Sequence, residues 1–264
     1  MRHRLLIFVL LMQLAVPGRS QTAALHVAIL GDSNTWLGGD DCRKPRGWNT
    51  WFRESLAPAT CRSYARSGAT WTHTEDTKQN TTEDTGVLSD DNVIFNQVWR
   101  LRDAVRRGEQ ACPDLILIAA GTNDVWFPQK RPRVFAQRVD EVFAATGEPD
   151  LTAASEAWQT LAGAVRNGCE MLQESFPDAQ IILLTPMQST AIETADITKA
   201  GDVIEACGMR MNLSVIRMDR EGCVNRMREQ RRMRYTYDGT HTSEAGARRN
   251  GRYVANRVRS LLEY

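Results

Sequence analysis

Four short polar segments hold the residue types that acyl transfer requires: Gly31-Asp32-Ser33-Asn34-Thr35, Arg66-Ser67-Gly68-Ala69-Thr70, Gly121-Thr122-Asn123-Asp124 and Asp238-Gly239-Thr240-His241. A serine hydroxyl is a weak nucleophile until a base takes its proton. Histidine does this near neutral pH, and a carboxylate fixes its tautomer and stabilises the imidazolium. Asp238 stands three residues before His241, close enough to reach the near ring nitrogen. Ser33 is therefore read as nucleophile, His241 as base and Asp238 as its orienter. The oxyanion needs donors, which the Asn123 amide and the backbone N–H groups of Ser33 and Gly68 can supply. Asp32 and Asp124 read as turn-forming residues that bond backbone amides. Of the other histidines, His26 opens an apolar run and His73, five residues after Gly68, could approach the same pocket.

These segments need a scaffold that brings them together. Continuous apolar runs at 25–30, 114–120 and 180–185 predict buried strands, with further strands at 61–65 and 213–218. Helical spacing predicts helices over 48–56, 92–108, 158–176 and from about 243 onward. Strands apolar on both faces and separated by helices imply a parallel sheet covered on both sides. Three of the four polar segments follow strands, where ligands bind in open parallel sheets. Two connections exceed the usual length, 72–91 and 127–151, the second with a helix expected at 134–145.

The ordered set of Gly-Asp-Ser after the first strand, a lone glycine, Gly-x-Asn-Asp and a C-terminal Asp-x-x-His resembles the signature of the SGNH (GDSL) hydrolase superfamily. The resemblance implies a three-layer α/β/α sandwich of flavodoxin-like type with a central parallel sheet. It places Ser33, Gly68, Asn123 and His241 as the four block residues, with Asp238 completing the triad. Thr242 departs from the proline that many members carry after the histidine, which touches how the last helix begins. The long loops are unlike those of minimal members and leave the substrate class open.

Trp36, Trp71 and Trp126 each lie three residues after a block residue. They are either wedges that seat the loops or an aromatic rim that stacks a sugar face or shields an acyl chain. The expected activity is an exported serine esterase or deacylase acting on carboxylic esters, with O-acyl (acetyl) groups on carbohydrate leading. Lipase or lysophospholipase action and acyl transfer use the same residues, and a non-catalytic glycan-binding protein would normally show a damaged triad. A metal-dependent phosphoesterase needs clustered ligands such as D-x-H, and neither D-x-H nor the G-x-S-x-G elbow of α/β-hydrolases occurs. No cofactor or metal is implied.

The chain opens on Met1-Arg2-His3-Arg4, continues with apolar residues 5–16 and reaches Pro17-Gly18-Arg19-Ser20. This is the pattern of a secretory signal peptide over residues 1–20, followed by one domain over 21–264 in a secreted or periplasmic protein. An apolar run this short cannot span a hydrocarbon core that needs about 20 residues, so no stable membrane anchor is expected. Cleavage removes Arg2, Arg4 and Arg19, lowering Lys+Arg from 33 to 30 against 32 acids and net charge from +1 to −2. A near-neutral chain has no electrostatic reason to seek nucleic acid. The expected partner is a small-molecule or glycan ester. Six cysteines in an exported chain permit disulfides. Sequence proximity pairs Cys42 with Cys61 and Cys207 with Cys223, while Cys112 and Cys169 read as buried thiols.

Overall fold

Apolar side chains alternate across the strands so completely that both sheet faces must be covered. Val27 and Ile29 of the first strand face one core, and Ala28 and Leu30 face the other. The computed structural model describes residues 24–82, 88–144 and 146–262, so the expected leader lies outside the described residues. Among the described residues, five strands, β1 (His26–Gly31), β2 (Thr60–Ser63), β3 (Leu115–Ala119), β4 (Gln180–Leu184) and β5 (Ser214–Ile216), form one sheet. Their order is β2-β1-β3-β4-β5 and every pairing is parallel. With helices on both faces, this is the expected three-layer α/β/α sandwich in the flavodoxin-like order.

Among the described residues, ten α-helices connect or cover the strands: α1 (Ser33–Trp36), α2 (Trp48–Leu56), α3 (Ile94–Arg106), α4 (Thr122–Trp126), α5 (Val139–Ala144), α6 (Leu161–Ser175), α7 (Thr194–Arg210), α8 (Met218–Glu221), α9 (Arg226–Arg231) and α10 (Glu244–Leu262). α3, α6 and α7 bury Val98, Leu101, Val165, Leu172, Ile197 and Ile204 against one face. α2 and α10 cover the other with Phe52, Leu56, Val254 and Val258. These two helices touch backbone to backbone at Gly251, where a Cβ would stand 2.2 Å from the Trp48 carbonyl oxygen. No side chain fits there.

The expected helix over 134–145 is shorter than its pattern. Val134 is buried but belongs to a turn closed by its N–H on the Arg131 carbonyl, and helix begins only at Val139. Pro132, inside that turn, brings no N–H for a helical ladder.

All six cysteines are free, so neither expected disulfide forms, and Cys112, expected as a buried thiol, is exposed while Cys169 is buried. Cys42 Sγ and Cys61 Sγ are 3.6 Å apart, as thiols. Cys207 instead donates to the Ala162 carbonyl at 3.7 Å, and Cys223 to that of Gly246 at 3.5 Å. α7 aims the first toward α6, whereas the second follows α8 and faces α10.

Sheet order reverses between β1 and β3, so the crevice at their carboxyl ends is the topological switch point. α1 leaves β1 there and α4 leaves just after β3. Ser33 and Asn123 thus follow adjacent strands at the same edge for topological reasons.

Candidate active site

Ser33 is the first residue of α1, immediately after the strand that ends at Gly31. Its N–H, at a position with no intrahelical acceptor, has none elsewhere among the described residues. Asp32 caps the helix by accepting the Asn34 N–H at 3.0 Å. Burial pushes the Asp32 carboxyl up to about 6, against the opposing bonds to the Asn34 amide and Thr122. Gln97 holds the strand exit on both sides, accepting the Gly31 N–H at 2.8 Å and donating to the Gly31 carbonyl at 2.9 Å. The nucleophile candidate is thus set on a backbone pinned from three directions.

His241 Nε2 lies 2.9 Å from Ser33 Oγ. On the other side of the ring, Nδ1 lies 2.6 Å from Asp238 Oδ2. Asp238 Oδ1 also accepts the backbone N–H groups of His241 at 2.7 Å and Thr240 at 3.0 Å. Burial would raise the Asp238 carboxyl, but these bonds, led by the His241 ring, outweigh it and hold it below the ordinary carboxylate range. Upstream, buried Glu229 accepts the N–H groups of Arg234, Tyr235 and Thr236 and the Thr236 hydroxyl. It staples the approach to Asp238.

The serine and histidine turns are joined by Asn34. Its Oδ1 accepts the Thr242 N–H at 3.0 Å, and its Nδ2 donates to the Thr240 carbonyl at 3.4 Å. Thr242 also donates its hydroxyl to the Arg46 carbonyl at 2.7 Å. A proline at 242 would have no N–H for Asn34. The departure noted in the sequence therefore does more than start a helix: it ties the His241 turn to the Ser33 turn.

The second and third segments are joined in the same manner. Asn123 donates one Nδ2 proton to the Ala69 carbonyl at 3.0 Å and keeps the other. Asp124 accepts the N–H groups of Trp71 at 3.1 Å and Thr72 at 2.9 Å and the Thr72 hydroxyl at 2.6 Å. Burial nevertheless raises its carboxyl. The Asn-Asp pair thus places the Gly68 turn relative to α4, as expected of a turn-forming aspartate. Gly68 has φ +74°, a left-handed conformation that other residues adopt at a cost.

The three tryptophans separate. Trp71 is fully buried, its ring packed against Gly168 in the core between α3 and α6. It is not part of a rim, because the Asp124 staple turns this backbone inward. Trp126 is half-buried and stacks on Phe127 at 5.8 Å between centroids. Trp36 is 40% exposed and lines a cleft of about 630 Å³ with Leu37, Lys44, Pro45 and Arg46. An aromatic that the three-residue spacing did not flag completes this edge. Tyr237 is 46% exposed, stacks on the His241 ring at 5.8 Å and carries the Arg46 guanidinium 5.1 Å above its own ring. Its adjacency to Asp238 was the available signal.

His73 does not join the serine. It stacks on Trp158 at 4.8 Å, with Nδ1 3.3 Å from the Ala153 carbonyl. Burial lowers its pKa to about 4, so the ring is neutral. His26 bonds Thr60 at the start of β1, far from the carboxyl edge. Among the described residues no group of His, Cys, Asp and Glu is arranged to hold a metal, and no helix is long and apolar enough to cross a membrane.

A parallel sandwich whose switch point brings a serine to a histidine–aspartate pair is an arrangement suited to the class of serine hydrolases acting on esters. Within that class the chain belongs to the GDSL-like lipase/acylhydrolase family, whose model matches residues 29–249. No curated protein matches the chain. Solved structures share the fold. One described as "a possible lipase" from Chitinophaga pinensis is 17% identical with TM-score 0.56, covering 90% of this chain and 98% of that one. A protein from Lactobacillus plantarum is 16% identical with TM-score 0.58, covering 91% and 97%. A lipase/acylhydrolase from Enterococcus faecalis is 17% identical with TM-score 0.50, covering 90% and 97%.

Proposed function

We propose that this protein is an exported esterase that removes O-acyl groups, acetyl first, from carbohydrate, with Ser33 as nucleophile, His241 as base and Asp238 as its orienter. The observation that carries the reading is the unbroken line from Ser33 Oγ through the His241 ring to Asp238, at 2.9 and 2.6 Å. Ser33 Oγ attacks the ester carbonyl carbon as its proton passes to His241 Nε2. The carbonyl electron pair moves to oxygen, where the N–H groups of Ser33 and Gly68 and the remaining Asn123 proton hold it. The intermediate collapses, the bond to the alcohol oxygen breaks, and the alcohol leaves with the proton from His241. Water then attacks the acyl carbon, giving a proton to His241, which returns it to Ser33 as the acid departs. Asp238, kept ionised, stabilises the imidazolium in both halves.

Carbohydrate as carrier is supported by the edge beside His241. Trp36 and Tyr237 offer exposed rings, and Arg46 and Lys44 offer donors for hydroxyls. Export is supported by residues 1–20 of the sequence. The test is a panel of acetyl, butyryl and longer p-nitrophenyl esters beside an acetylated oligosaccharide, each with wild type and Ser33→Ala. Turnover should be greatest on acetyl esters, and acetate should be released from the glycan. Preference for long acyl chains with no release from the glycan would refute the carbohydrate reading.

A further inference from the structure

Arg131 is a buried cation for which the catalytic machinery has no use. It is 7% exposed and lies in the turn after α4. Its Nη2 donates to Thr70 Oγ1 at 3.3 Å, and its Nε is buried without an acceptor. Among the described residues no carboxylate reaches it within ion-pair distance. Asp124 feels its charge but directs its hydrogen bonds to Trp71 and Thr72. His73, on the other side, is neutral and offers no countercharge. Asp124 is a charge neighbour that makes no hydrogen bond to it, so the buried guanidinium keeps donors that a further anion can take.

The position of this cation is informative. Arg131 lines a cleft of about 370 Å³ whose wall includes Gly68, Leu88, Phe127 and Lys130. It also lines a wider one of about 830 Å³ with His73, Gln159 and Arg133. Lys130 stands at the junction, 59% exposed and 3.7 Å from Asp90. Glu75 and Asp76 are the other acids on the wider cleft. The Arg131 cation therefore sits next to the turn whose N–H is the proposed oxyanion donor.

We propose that Arg131, flanked by Lys130, is an anion subsite of this esterase that takes a carboxylate carried by the ester substrate. The inference rests on the esterase reading and adds the charge of the substrate to it. A guanidinium binds a carboxylate through parallel N–H donors. The carboxylate can belong to the acyl group, as in a dicarboxylic half-ester, or to the carrier, as in an acylated uronic acid.

Two substrate pairs separate these sources: p-nitrophenyl hemisuccinate against p-nitrophenyl butyrate, and an acetylated uronic-acid oligosaccharide against an acetylated neutral one. The quantity read is kcat/KM for the anionic member over the neutral one. In Arg131→Gln this ratio should fall by roughly 10- to 100-fold on one pair, the loss of a charge-assisted contact. Because both substrates are measured on one sample, a loss of folded protein cancels. Lys130→Gln, on the exposed shoulder, should lower the same ratio about threefold, as a partly screened charge does. A ratio unchanged within twofold on both pairs in Arg131→Gln overturns the subsite. Titration of succinate or galacturonate into Ser33→Ala, read by thermal shift, reports the subsite without turnover. A shift present with Arg131 and absent in Arg131→Gln supports it even if no ester is cleaved, whereas ester turnover with no shift for either acid speaks against it.

Discussion

Replacing Asn34 by alanine removes the side chain that joins the Ser33 turn to the His241 turn, and its consequences divide cleanly. Asn34→Ala deletes the acceptor 3.0 Å from the Thr242 N–H and the weaker 3.4 Å bond to the Thr240 carbonyl. Thr242 is fully buried, so its N–H is left without a partner from Asn34 or water. The expected loss of stability is about 1–3 kcal/mol, the desolvation cost of one orphaned donor. Activity should fall further than stability. His241 lies between Thr240 and Thr242, which then keep their bonds to Asp238 and Arg46 but lose the tie to the Ser33 turn, so Nε2 is no longer held at 2.9 Å from Ser33 Oγ. A misplacement on the order of 1 Å costs roughly 10²-fold in rate. We expect kcat on p-nitrophenyl acetate to fall about 100-fold with KM within threefold, because no substrate contact is removed. Urea unfolding monitored by tryptophan fluorescence supplies the stability change on the same protein. A kcat within threefold of wild type alongside the expected destabilisation would refute the reasoning, leaving Asn34 as scaffold only.

Asn123→Ala should lower kcat by roughly 10²–10³, the usual loss for one oxyanion donor, and a loss below threefold would make Asn123 only the anchor of Ala69. Trp71→Ala should cost about 3–5 kcal/mol of stability, as for a fully buried aromatic, whereas Trp36→Ala should leave the unfolding midpoint in place and raise KM on an acetylated oligosaccharide; the converse pattern would reverse their assignments. The raised carboxyl of Asp32 makes the folded state bind a proton that the unfolded state has released between the ordinary value, 3.8, and about 6. The Asp32 contribution to stability therefore declines as pH rises through that window. The unfolding midpoint of wild type minus that of Asp32→Asn should fall from pH 4 to pH 6, and a difference flat across the window would place the Asp32 carboxyl at its ordinary value.

The layers of this fold were legible because hydrophobicity alone dictates them. Runs such as Leu115–Ala119 have no polar face and can only be interior strands. α7 was not legible in the same way. Its buried stripe is Ile197, Ala200, Gly201, Ile204, Cys207 and Gly208; the small residues among them, with Gly208 against Val215 of β5, allow close approach but give a weak periodic signal. In the site, the candidate acid, base and nucleophile could be picked out from chemistry, since few residue types can fill those roles. The supports could not. Gln97, Asn34 and Glu229 act through partners 66, 208 and about 5–7 residues away, and nothing in an amide or carboxylate side chain names its partner. Trp71 shows the reverse error: a regular three-residue spacing is a sequence coincidence once the Asp124 staple turns one backbone inward.

The central claim is that Ser33 is the nucleophile, and covalent capture tests it most directly. Folded protein is treated with a fluorophosphonate and the adduct located by peptide mass spectrometry. The account predicts one adduct, on Ser33, with loss of esterase activity in step with labelling, and neither label nor turnover above background in Ser33→Ala. Esterase turnover retained in Ser33→Ala, or stoichiometric labelling of another residue that tracks the loss of activity, would contradict it.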